Sequence, residues 1–129
     1  MKVYRIEHRK HKKKGAKCFI GPYGVSGYFS CTDWSNRSHS YETHPCPTND
    51  LKLKESLEER DLIDEWEYRF HCGFISMKQL EEWFVRYERR NLSEMGFVLA
   101  CYEAKELVEG SQQILFVPKG RRKILSLVD

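Results

Sequence analysis

"GSQQILFVPKGRRKIL", residues 110–125, decides how the chain is read. Its apolar alternation reads as a strand over 112–118, the Pro118-Lys119-Gly120 triplet as a tight turn, and 122–128 as a second strand. Ile114, Phe116, Ile124 and Ser126 then share one face, and Gln113, Leu115, Lys123 and Leu125 the other. Two glutamines open this otherwise hidden strand. A buried glutamine must satisfy both a carbonyl and an NH2. Gln113 is therefore either a binding or structural amide, or it stands where an enzyme would keep a glutamate.

Outward from that pair, "FVLACYEA" (97–104) is an unbroken apolar run, which predicts a central strand covered on both faces. "FHCGF" (70–74) is a short apolar strand. Between them, Ser76 as N-cap and Gln79 three residues on form a capping box, and the spacing predicts a helix over 76–89. Leu80, Trp83, Phe84 and Tyr87 fall at i, i+3, i+4 and i+7, one buried face. A short "LSEM" turn leads to Gly96, a left-handed cap. Residues 51–66 suit one charged helix or helical turn. Residues 2–8, "KVYRIEH", are the first strand. Residues 18–34 suit strand fragments around a Gly21-Pro22-Tyr23-Gly24 turn, and 35–50, with two prolines, a loop. The fold class is α+β: one domain over 1–129, a mostly antiparallel sheet with one main amphipathic helix.

The 129 residues leave no room for a second core. With 40% hydrophobic, 13% aromatic and 32% charged residues, the composition is that of a soluble globular domain. No run of 18 apolar residues suggests a membrane span, and no hydrophobic stretch follows the N-terminal charges, so a cytosolic setting is expected. The five cysteines are odd in number and form no Cys-x-x-Cys pair, which predicts free thiols. His44, Cys46, His71 and Cys72 are zinc-ligand types, but their spacing is not that of a finger or ribbon. His71 and Cys72, as strand neighbours, point to opposite sides; no metal is expected. The zinc-deaminase pattern fails at Pro47-Thr48, and no Gly-x-Ser-x-Gly elbow or phosphate loop is present.

The net charge of +3 conceals a division. Lys2 to Lys17 holds eight Lys or Arg and one Glu, a local +7, whereas Thr48 to Arg69 holds eight Asp or Glu and four Lys or Arg, a local −4. Two solvated segments that attract one another would explain this. A mobile basic loop over 9–17, with Lys10, Lys12, Lys13 and Lys14 contacting an acidic partner or nucleic acid, is the functional alternative. Tyr23, Tyr28, Phe29 and Trp34 follow that loop and suit either base stacking or core packing.

"VYRI" in the first strand, "GFIS" before the helix and "SQQILFVPKG" at the end together resemble the ADP-ribosyltransferase superfamily. The resemblance implies that fold, with Arg5 and Ser76 holding NAD and Gln113 at the position of the catalytic glutamate. A neutral amide cannot act there as a base or offset a developing positive charge; Glu109 or Glu103 would have to substitute. A second resemblance rests on "YRIEH", "GPYG", "HPCPTND", "HCGFISMKQLEEWF", "MGFVLACYE" and "QQILF", which are similar to short proteins of bacteriophages and prophages. It implies a host-cytosol setting with host proteins or nucleic acid as partners. Three functions are thus expected in order: non-catalytic binding of a host protein, such as inhibition of a defence complex, without cofactor; an NAD-dependent mono-ADP-ribosyltransferase; and a nucleic-acid-binding module.

Overall fold

In a computed structural model that describes residues 1–24, 44 and 47–128, the architecture hangs on one long hairpin. β3 (Phe97–Glu109) and β4 (Ile114–Leu125) run antiparallel, registered from Glu109 opposite Ile114 to Leu99 opposite Leu125. The chain reverses at the glutamines: Gly110 N–H donates to Gln113 O at 2.8 Å. Asp50 holds this turn from across the sequence. It is 2% exposed and accepts from the Ser111 N–H at 3.0 Å and the Ser111 hydroxyl at 2.9 Å. The same carboxylate accepts from Leu53 N–H at 3.3 Å, capping α1 (Leu51–Glu59). A Cβ on Gly110 would lie 2.6 Å from Asp50 Oδ2, which leaves room for glycine alone.

The expected turn at Pro118-Lys119-Gly120 is therefore corrected. These residues lie inside β4, so the strands expected over 112–118 and 122–128 are one. The register slips by two residues between Cys101–Lys123 and Glu103–Lys119, and Gly120 takes φ +79° within that bulge. Pro118 is tolerated because β2 (His71–Gly73) pairs with β4 only at Ile114–Phe116, leaving the edge beside the proline open.

The strand order is β1-β3-β4-β2, with β1 (Lys2–His8) antiparallel to β3. The two outer strands also meet, since Tyr4 N–H donates to Phe74 O at 2.8 Å and Phe74 N–H to Tyr4 O at 2.7 Å. The sheet thus curls until its edges touch. Gly73 makes the closure possible: a Cβ there would sit 2.7 Å from Val3 Cγ1 and 2.9 Å from Phe116 Cε1.

The core is divided by the curled sheet. Val3, Cys18, Ala100, Tyr102, Ile114 and Phe116 form one cluster. Leu53 and Leu57 of α1 pack with Phe70, Val108, Leu115 and Val117 in a second. The third packs Ile6, Phe97 and Leu99 against Leu80, Trp83, Phe84 and Leu92. β3 is central and covered on both faces, as its apolar run predicts, and extends five residues beyond the expected end at 104. The charged segment 51–66 is α1 followed by a separate short helix, α2 (Trp66–Arg69).

The single helix expected over 76–89 is two. Ser76 caps α3 (Met77–Trp83), accepting from Gln79 N–H at 3.1 Å. The Gln79 carbonyl reaches back to Ile75 N–H at 2.9 Å, one residue earlier than in the expected capping box. Phe84 then adopts an extended backbone, φ −115° and ψ 104°, and α4 (Arg86–Glu94) begins anew. The break is held by Glu88, 2% exposed, which accepts from Val85 N–H at 2.9 Å, and by Arg89, which donates to Phe84 O at 2.6 Å. Two non-helical residues rotate the following turn outward. Leu80, Trp83 and Phe84 stay buried, but Tyr87 is 50% exposed. "LSEM" closes α4 rather than forming a turn alone, and Gly96 takes the expected positive φ, +96°.

Cys18 and Cys101 are free thiols; Cys31, Cys46, Tyr28, Phe29 and Trp34, with most of the strand fragments and loop expected over 18–50, lie outside the described residues. The Gly21-Pro22-Tyr23-Gly24 turn is present, as a 3-10 turn at Pro22–Gly24. Among the described residues no helix is long and apolar enough to cross a membrane. The helix break separates two residues that periodicity groups together. Trp83→Ala is expected to cost about 3–5 kcal/mol in chemical denaturation, whereas Tyr87→Ala stays within about 0.5 kcal/mol of wild type. Equal losses would contradict the break.

Candidate functional site

Val3, Arg5 and Glu7 alternate along β1 onto one face, and that face ends in a buried charge cluster. Glu7 is fully buried. Its Oε1 accepts from Arg5 Nε at 3.0 Å, and its Oε2 accepts from Arg122 Nη1 at 2.7 Å and from the Tyr102 hydroxyl at 2.8 Å. Other guanidinium protons of both arginines go to main-chain carbonyls. Arg5 donates to Cys72 O at 2.7 Å and Phe19 O at 3.0 Å; Arg122 donates to His8 O at 3.0 Å and Arg9 O at 2.7 Å. The Arg122 guanidinium also stacks 3.6 Å from the centre of the Phe19 ring. Burial pushes the Cys18 thiol up to about 11 and raises the Tyr102 phenol, so both stay protonated.

This cluster brings two basic segments together. Arg122 belongs to the β4 bulge, and the carbonyls it holds begin the 9–17 loop. The base of that loop is fastened by His8 N–H to Ile20 O at 2.7 Å, Ile20 N–H to His11 O at 2.9 Å and Arg9 N–H to Gly96 O at 2.9 Å. His8 Nδ1 accepts from the backbone N–H groups of Lys10 and His11 at 3.0 and 3.1 Å, which requires a neutral ring nitrogen. Burial, then the neighbouring His11, lowers the pKa of His8 accordingly. Beyond this base, Lys10, Lys12, Lys13 and Lys14 are exposed, as are Lys119, Arg121 and Lys123 of the bulge. Residues 9–17 and 119–123 carry ten Lys or Arg and no acid.

The acidic segment lies elsewhere. α1 packs on Val108, whereas the basic loop adjoins Phe97 through Arg9, Gly96 and His8. Those two positions are eleven residues apart on β3, roughly 35 Å of extended strand. The loop thus meets β3 at its start and α1 meets it near its end, while the 119–123 bulge pairs between them, opposite Cys101–Glu103.

The residues singled out by the transferase resemblance are distributed differently. Arg5 is committed to Glu7 and two carbonyls. Ser76 caps α3 and lines an open groove of about 470 Å3 with Gln79, Trp83, His44, Ser111 and Gln112; Arg5 does not line it. Gln113, 3% exposed, ends the hairpin turn. Glu109 is exposed at the turn, and Glu103 pairs with the N-terminal amine at 3.1 Å. His44 Nε2 lies 2.9 Å from Trp83 O. Among the described residues no group of three or more His, Cys, Asp or Glu is placed to hold a metal, and Cys46 lies outside them.

Sequence patterning misses Glu7, Asp50 and the basic bulge. One signal for Glu7 is legible in retrospect: it is the lone acid among eight cations from Lys2 to Lys17. His71, on β2 beside the same cluster, offers a test. Burial, reinforced by the charges of Arg5 and Lys17, lowers its pKa from 6.5 to about 4. The folded ring is thus neutral where the unfolded one is charged. Between those values the unfolded chain binds more protons, so stability must fall as pH drops from 6.5 towards 4. Urea midpoints for wild type are expected to decline across that window more steeply than those of His71→Gln; parallel profiles would refute the neutral ring.

Comparison with known proteins places the chain among bacteriophage proteins. A family profile described as "Bacteriophage T4 Y00F protein" matches residues 1–127. A phage T4 protein described as "Uncharacterized 19.7 kDa protein in motB-dexA intergenic region" is 37% identical over 49 residues, covering 36% of this chain and 30% of that protein. The aligned stretch is thus under a third of the relative's length. No solved structure matches. None of these findings supports the likeness to ADP-ribosyltransferases, while they agree with the likeness to short phage proteins. The chain belongs to the bacteriophage T4 Y00F protein family.

Proposed function

We propose that this phage protein acts by non-catalytic binding, docking an acidic surface of a host protein, such as a component of a defence complex, through its basic pole. One observation carries the reading: Arg122 bonds the start of the 9–17 loop to the 119–123 bulge, two segments that together carry ten Lys or Arg and no acid. A concentration of one sign of charge steers diffusional encounter and orients the partner. The polar residues that an enzyme would deploy are spent on architecture instead. Arg5 and Glu7 are bonded to each other and to the main chain, Ser76 to a helix end, and Asp50 to a turn. The positive net charge also sets the protein apart from a mimic of DNA.

Charge reversal at Lys10, Lys12, Lys13 and Lys14 leaves the cluster untouched, because all four side chains are exposed. In affinity capture from host lysate, followed by kinetics on the captured component, this variant is expected to associate at least about tenfold more slowly at low salt, with a smaller change in dissociation. Reversal of Glu55, Glu58 and Glu59 on α1 serves as the control and is expected to leave capture intact. Capture that survives the lysine reversal and is lost with the α1 reversal would overturn the assignment of the basic pole.

A further inference from the structure

Apart from the lysine loop and the bulge, we infer that the first half of α4 and the tail after β4 form a binding site for a single phosphate group. Arg86, Arg89 and Arg90 stand at i, i+3 and i+4 of α4, which places them on one side of the helix. Together with Val128 they line one cavity of about 80 Å3. The tail that carries Val128 is held in place. Leu127 joins Leu92 of α4 in the same core cluster, and the Ser126 hydroxyl donates to Val128 O. Arg89 is aimed by a hydrogen bond from its Nη1 to Phe84 O at 2.6 Å, which leaves its other N–H donors for a ligand.

Three arginines so placed are unfavourable until an anion joins them. Like charges three and four residues apart on a helix repel, and Arg86 opens α4, where the macrodipole also disfavours a cation. Glu88, the acid of that turn, is directed elsewhere: it is 2% exposed and accepts from Val85 N–H at 2.9 Å. Arg5, Arg69 and Arg122 each meet a carboxylate of this chain. Among the described residues, Arg86, Arg89 and Arg90 meet none. Arginines that project separately into water need no ligand, but these three share one cavity. The class of anion follows from the guanidinium geometry. A carboxylate is satisfied by a single guanidinium fork. A phosphate group carries more charge and more acceptor oxygens, enough for several forks at once. A cavity this small takes that group alone and leaves any organic remainder in solvent.

The test is an NMR titration of the arginine Nε–H signals of the full chain, in about 0.15 M sodium chloride to screen distant charges. Inorganic phosphate, a nucleoside 5′-monophosphate and acetate are the probes. The signals of Arg86, Arg89 and Arg90 are expected to shift together along one saturating curve, with phosphate at least about tenfold tighter than acetate. Arg86→Gln and Arg90→Gln should each weaken phosphate by about tenfold or more, as loss of a charge-assisted hydrogen bond does. Both side chains are exposed, so circular dichroism should match wild type; Arg89 is kept because it holds Phe84. Replacing Lys12, Lys13 and Lys14 with Gln is the control and should leave phosphate affinity within about twofold. Tighter binding of the monophosphate than of free phosphate would mark a phosphomonoester as the ligand, and equal binding would mark free phosphate. Shifts no tighter for phosphate than for acetate would overturn the inference. So would phosphate binding that is lost in the lysine variant and survives both arginine variants.

Discussion

A carboxylate can be fully withdrawn from water only if cations and hydroxyls replace its hydration shell, because leaving it bare costs several kcal/mol or more. Glu7 meets that condition with Arg5, Arg122 and Tyr102, which come from β1, β4 and β3. Three strands are thereby tied at one point on a single face. The two arginines carry the connection outward. Arg5 reaches Cys72 beside the closing edge of the sheet and Phe19 beyond the loop, and Arg122 reaches His8 and Arg9 at the loop's start. Such an arrangement adds little net stability over a well-packed apolar core. What it supplies is placement: the bulge and the loop are held in one relative position.

The chemistry of the surface follows from that placement. Like charges brought close repel, and ten cations in two adjoining segments would favour separation. Burying one of them, Arg122, against an anion offsets this repulsion and leaves the others outward. The acidic helix α1 is anchored near the other end of β3 through Leu53 and Leu57. The protein therefore presents a sustained positive pole despite a modest net charge of +3. The pole is built from backbone hydrogen bonds and buried side chains, and its exposed lysines can change without disturbing its frame.

Much of the scaffold was legible from local pattern. The first strand matched residue for residue, the apolar run at 97–104 lay within the central strand, and Ser76 capped a helix as its spacing implied. Errors arose where a distant partner overrode a local signal. Pro118-Lys119-Gly120 has turn chemistry, yet β3 is long enough to pair on both sides of it, and the positive φ of Gly120 serves a bulge. The actual turn at Gly110–Gln113 depends on Asp50, sixty-one residues away from Ser111. The helix break at Phe84 depends on Glu88 and Arg89, whose types alone suit an exposed helical face. At the site, the lysines of the loop were visible as a charge run. Their union with Lys119, Arg121 and Lys123 was not, because it requires a bond between Arg122 and a carbonyl more than a hundred residues earlier.

The claim beneath this account is that Glu7 and Arg122 act as one unit that joins the bulge to the loop. A double-mutant cycle with Glu7→Gln and Arg122→Met, followed by urea denaturation, measures their coupling free of each residue's other contacts. The side chains are 0% and 10% exposed, so screening by water is slight. The account predicts a coupling energy of about 1–3 kcal/mol, with the double variant more stable than the sum of the single losses allows. Additive losses, within about 0.5 kcal/mol, would show that the two residues act independently and that the basic pole is held by something else.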